Sequence, residues 1–137
     1  MLGVNKLPLA RRAQILTLLR EGSSMRSISR IVDVSINTVA KLLVDAGKVC
    51  ASFHDETVRG VKANKRIQCD EIWSFTYAKA KNVGEARAAP DQAGDTWTWT
   101  ALDADSKLIV SHFVGGRDSE CAMMFMDDVA KRLADRV

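Results

Sequence analysis

The sequence predicts an α+β chain: a small three-helix unit, then three antiparallel strands and a closing helix. Three observations carry that reading. Apolar residues recur at helical spacing in the first half. Aromatic and β-branched runs dominate between Ile67 and Val114. The charge also changes sign between the halves: twelve Lys and Arg stand against five Asp and Glu up to Arg66, and eight against twelve after it. A basic half joined to an acidic one suggests a polyanion-binding module attached to something else. The expected boundaries are 1–56 for the helices, 57–66 for a basic connection and 67–137 for the strands and last helix.

The first helix is read from Leu9, Ala13, Leu16 and Leu19, with Ile15 and Leu18 beside them. Pro8 suits a helix start, where a missing N–H costs nothing. Gly22 can take the left-handed position after the end. Ser24 is a good N-cap for a short second helix with Met25, Ile28, Ile31 and Val32 as its apolar set. Asp33-Val34 breaks the pattern, and Ser35 caps a third helix carrying Val39, Leu42, Leu43 and Ala46. This helix either stops at Gly47 or runs on through Val49 and Phe53, since a helical Gly costs only about 1 kcal/mol.

Two helices joined by about three residues follow the helix-turn-helix plan. In that plan one helix braces the next, whose first residues enter the DNA major groove. Those residues here are Ser35, Asn37, Thr38 and Lys41, set away from the apolar side. Asn pairs with adenine edges, while Ser, Thr and Lys reach phosphates or bases. Arg26 and Arg30 on the bracing helix would sit over the phosphate backbone. The alternative is the solvated outer face of any three-helix core. The stretch TVRGVKANKR adds Arg59, Lys62, Lys65 and Arg66, and reads equally as a solvated connection or as one that tracks phosphates.

The second half begins with RIQCDEIWSFTY. Strand alternation puts Gln68, Asp70, Ile72 and Ser74 on one side and Cys69, Glu71, Trp73 and Phe75 on the other. A long polar loop, Ala78 to Asp95, follows. TWTWTAL is a second strand with Trp97 and Trp99 on one face, read as packing. Asp103-Ala104-Asp105-Ser106 makes a turn. Lys107 to Val114 returns as a third strand, apolar on both sides, which expects cover on both. His112 falls on the Leu108/Val110 face and is expected to be packed. After Gly115-Gly116, Asp118 or Ser119 caps a helix whose core side is Ala122, Phe125, Met126, Val129 and Leu133. Asp127 and Asp128 are expected on its solvent face.

Asp70 is the most informative carboxylate, because an unpaired acid in a buried strand is costly. It suits Mg²⁺, which prefers oxygen ligands and keeps several waters. A salt-bridged structural acid is the competing reading. Cys50 and His54 lie one helical turn apart, but no second pair accompanies them and zinc is not expected. There is no P-loop, nucleophile elbow or dinucleotide fingerprint. No window approaches the roughly 18 apolar residues of a membrane span. The N-terminus has no signal-peptide core, and three widely spaced cysteines fit a reducing compartment. A cytoplasmic protein without a membrane partner is the expectation.

The phrases GSSMRSISRIVDVSINTVAKLL, CDEIWSF and WTWTALDADSKLIVSHFVGGRD, in that order, resemble a DDE-type bacterial insertion-sequence transposase, more narrowly the insertion-sequence-one family. The resemblance spans roughly residues 5–137. It implies a ribonuclease H-like core in which three carboxylates hold Mg²⁺ or Mn²⁺ for in-line displacement at phosphorus. It further implies double-stranded transposon ends as partner, with Asp70 as the first catalytic and metal-binding acid. The family's second acid lies after a fourth strand and its third on a later helix. Asp127, Asp128 and Asp135 do not match those positions. The expectation is therefore an incomplete core truncated after its first helix, with weak or no metal binding, inactive alone. Its hairpin would expose an apolar face that favours a homo-oligomer. The alternative expectation is a non-enzymatic helix-turn-helix DNA-binding regulator.

Overall fold

Serine hydroxyls and two left-handed residues lay out the first unit. In the computed structural model, which describes residues 7–62 and 66–134, α1 runs Leu9–Arg20, α2 Met25–Val32 and α3 Ile36–Thr57. Gly22 adopts φ +79° and closes α1 as a C-terminal glycine does. Ser24 accepts the Ser27 N–H at 3.2 Å and starts α2. Asp33 ends α2 in the left-handed region at φ 53°. Ser29 Oγ then donates to the Val34 carbonyl at 2.6 Å, fixing the turn. Ser35 accepts the Thr38 N–H at 3.1 Å and starts α3.

Ile15, Ile28, Val32 and Val39 form the core of this unit, flanked by Leu7, Leu18, Leu19, Val34 and Leu42. The expected apolar sets are thus only partly buried: Leu9 and Ile31 are exposed. The third helix does not stop at Gly47. It continues ten residues beyond it to Thr57.

The second unit spans Thr57–Val137, after Met1–Glu56. It is a three-stranded antiparallel sheet in the order β1 (Ile67–Thr76), β2 (Gly94–Asp103), β3 (Ile109–Gly115), closed by α4 (Ser119–Arg132). The mixed helix and sheet architecture agrees with the α+β expectation. The long loop holds a short 3-10 segment, Ala80–Glu85. Asp103 secures the hairpin turn by accepting the Asp105 and Ser106 N–H groups, each at 3.3 Å. Asp118 caps α4 through the Cys121 N–H at 2.8 Å.

Ala101, Val110, Phe125 and Val129 form the second core, with Val61, Ile67, Trp99, Phe113 and Leu133 around it. Of the stretch 57–66, Val61 bridges to Leu133 and exchanges backbone hydrogen bonds with Arg132 and Ala134. Lys65 lies outside the described residues, as does Asp135.

Three expectations are corrected here. A register shift leaves Val110 unpaired, since Ala101 faces Ser111 and Leu102 faces Ile109. This bulge turns both Val110 and Ser111 inward, so His112 is exposed rather than packed. Met126 is 52% exposed and not part of the core. Asp128 is not on the solvent face: Ser111 Oγ donates to it at 2.5 Å and Arg132 Nε at 2.6 Å. Arg132 on that side of α4 is buried, 6% exposed, and its Nη1 reaches the Val58 carbonyl at 3.3 Å. Among the described residues, no helix is long and apolar enough to cross a membrane.

Candidate functional site

Two surfaces carry the residues singled out by sequence. The first is the start of α3. Val39 and Leu42 turn into the core, and helical geometry places Asn37 and Lys41 on the opposite side, one turn apart. Asn37 and Lys41 are exposed. Ser35 and Thr38 hydrogen-bond to each other at 2.9 Å, which ties both hydroxyls to the first turn. Lys41 Nζ lies 2.6 Å from Asp45, and that hydrogen bond holds the Asp45 carboxyl below its ordinary value despite slight desolvation. Lys48, which the sequence reading passed over, lies two turns beyond Lys41 and adds to the field on Asp45. Its signal was the spacing from Lys41 to Lys48 on one helical stripe.

On α2, Arg26 and Arg30 are exposed. Arg30 Nη2 donates to Ser27 Oγ at 3.3 Å, and Ser27 in turn receives Ser24 Oγ at 3.1 Å. Arg11 donates to the Val32 carbonyl and so secures the end of α2. The six residues read as DNA contacts thus fall on two consecutive helices, four of them at the head of α3.

The second surface is the sheet. Asp70 lies on the face away from α4, with Thr100 and His112 as its cross-strand neighbours in one row. The Asp70 carboxylate accepts the Glu71 N–H at 2.9 Å and is exposed. Its neighbour Glu71 projects to the opposite face, where Arg117 Nε stands 3.8 Å from Oε1. The arginine partner expected of a structural acid therefore falls to Glu71. Partial burial pushes the Cys69 thiol up, away from thiolate chemistry. Ile72, Ile109 and Val114 are exposed on the Asp70 face, at 58%, 38% and 60%.

No family model, curated protein or solved structure matches the chain. Among the described residues, no three His, Cys, Asp or Glu side chains come together to hold a metal ion. Asp70 on its own does not fit a pair of divalent ions, each of which needs several oxygen donors. Cys50 and His54 remain a two-residue set on α3.

What the sequence reading missed is the Ser111–Asp128–Arg132 cluster. Burial pushes the Asp128 carboxyl up, but hydrogen bonds from Arg132 and Ser111 outweigh it and hold the group below its usual range. The signal available was the spacing of Phe125, Asp128, Val129 and Arg132, which shares one helix face.

Proposed function

We propose that this chain binds double-stranded DNA through α2 and α3 as a helix-turn-helix module, in the manner of a DDE-type transposase holding its element's ends. The observation that carries the reading is the head of α3. A helix braced by Ile15, Ile28 and Val32 presents Asn37 and Lys41 to solvent, with Arg26 and Arg30 on the preceding helix. That is the division of labour recognition requires: polar side chains for base edges, cations for phosphates, apolar ones for support. Lys41 exchanges its Asp45 partner for a phosphate on binding.

The second unit is, in this proposal, part of a ribonuclease H-like core, with Asp70 as a catalytic and metal-directed acid. Mg²⁺ or Mn²⁺, when held by a full set of carboxylates, would supply charge neutralisation at the reacting phosphate. Asp70 alone offers it weak purchase, so this chain by itself occupies DNA without cutting it. The same donor set favours a second reading, a non-enzymatic DNA-binding regulator. A cytoplasmic setting and self-association through the open Ile72/Val114 face belong to the proposal.

Gel shifts with duplex terminal sequences test it. Binding should weaken steeply with salt, as phosphate contacts release counterions. Asn37→Ala should cost roughly 5- to 100-fold for the cognate site and little for random duplex, the worth of about 1–3 kcal/mol of base discrimination. Arg30→Ala should weaken both alike. Binding with no salt slope sinks the DNA reading. Mg²⁺-dependent nicking abolished by Asp70→Ala sinks the inactivity.

A further inference from the structure

We propose that the uncovered end of the sheet face bearing Trp73 and Phe75 is a stacking surface for unpaired nucleotides of single-stranded DNA. It builds on the reading of the chain as a DNA-handling protein but uses a different site. Strand alternation puts Glu71, Trp73 and Phe75 on one face of β1, and their partners across β2 are Trp99, Trp97 and Asp95. Where Ala101 meets Phe125, this face is closed by α4. Towards the other end it is open: Trp73 is 41% and Phe75 48% exposed. Their ring centroids are 5.8 Å apart and the planes tilt by 40°. Successive same-face positions on a strand repeat at about 6.6 Å, a step that lets adjacent bases of an extended strand meet adjacent rings.

Charge selects the occupant. Lys79 Nζ lies 5.2 Å from the Trp73 ring centre, and Arg117 Cζ lies 4.8 Å from that of Trp97. Glu71 is engaged by Arg117, and Asp95 accepts the Ala80 N–H at 2.9 Å. An apolar peptide laid over these rings would take the Lys79 ammonium and the Glu71–Arg117 pair out of water, which is costly. A second copy of the same face would set lysine and arginine against their own kind. A single strand answers both demands, since its bases stack on the rings and its phosphates meet the cations. This is the combination that single-strand binding uses, and Arg is itself a stacking plane.

The test uses the full chain. Tryptophan occurs only at positions 73, 97 and 99, so its emission reports on this unit. Oligothymidine should quench that emission, and anisotropy of a labelled strand should show it binding at least tenfold tighter than an abasic strand of equal length. Phe75→Ala retains every tryptophan and should lose roughly 5- to 100-fold in affinity, the worth of one base stacked on a ring. Phe75→Tyr should restore it, and Lys79→Glu should flatten the salt slope. A melting curve of each variant confirms the fold.

Equal affinity for the abasic strand overturns the proposal, as does unchanged binding by folded Phe75→Ala. Oligomers that oligothymidine fails to disperse and that Phe75→Ala dissociates overturn it too, since they would show a second copy on this face. Duplex binding lost in Asn37→Ala with oligothymidine binding intact separates the two surfaces. If oligothymidine binds but no duplex does, the proposed function fails and this one stands.

Discussion

Asp128 shows how a single side chain links the strand, the helix and the segment before the sheet. It receives Ser111 from β3 and Arg132 from its own helix, while Arg132 reaches back to the Val58 carbonyl. Arg132 is 7% exposed at its side chain, Asp128 35%. Removing the acid leaves a nearly buried guanidinium with its main counter-charge gone. Breaking fully buried pairs costs about 3–5 kcal/mol, and partial exposure of the acid lowers this to about 2 kcal/mol here. We expect Asp128→Ala to melt roughly 10 °C below the parent at neutral pH, the shift such a loss produces in a domain of this size. The folded carboxyl titrates below its unfolded value of about 3.9. Its stabilisation is therefore complete above that value and is lost as the pH falls through the lower, folded one. Melting curves of Asp128→Asn and parent should differ at pH 7 and converge as the pH falls through the lowered, folded value. A constant gap across the acid range would remove the carboxylate's charge from the account.

At the scale of elements, α3 offers a direct check on the longer of its two possible extents. Gly47 lies inside the helix, is exposed, and has open space where a Cβ would stand. Gly47→Ala should therefore stabilise by about 0.5–1 kcal/mol, the usual gain of Ala over Gly in a helix interior. A helix ending there with a left-handed glycine would instead be destabilised, and chemical denaturation distinguishes the signs. The sequence left both extents open because apolar spacing continues past Gly47 while a lone Gly also ends helices. The caps at Ser24, Ser35 and Asp118 were legible, since short oxygen-bearing side chains before an apolar period have a local meaning. The faces of β1 were legible for the same reason, as two-residue alternation is unbroken from Ile67 to Phe75. The bulge at Val110 was not. It is set by how Ala101 and Leu102 register against the opposing strand, and no local period records such a shift. Every face assignment up to the bulge held its parity only until that residue, which is why His112 was misplaced. Asp128 reads from sequence as a surface acid because its charge is a local feature, whereas the Ser111 hydroxyl that draws it inward comes from another element.

For the whole molecule, the two hydrophobic cores share no residue. Ile15, Ile28, Val32 and Val39 serve one, and Ala101, Val110, Phe125 and Val129 the other. Each unit is small, and domains of such size bury a modest share of their surface and are marginally stable. Damage to one core should accordingly register there first. Phe125 is 1% exposed, and its ring centre lies 5.8 Å from that of Trp99. Trp99 is further fixed by donating Nε1–H to the Gly116 carbonyl at 3.0 Å. Phe125→Ala should cost about 3–5 kcal/mol in the second unit and shift tryptophan emission to the red at a lower denaturant concentration. Ile28→Ala, costing about 2–5 kcal/mol in the first unit, should lower the helical signal and duplex binding while the tryptophan transition stays in place. Circular dichroism and tryptophan emission, followed through one denaturant titration, separate the two. If both variants move both signals together, the chain unfolds as one cooperative body, and DNA contact at α3 would then report on the sheet as well.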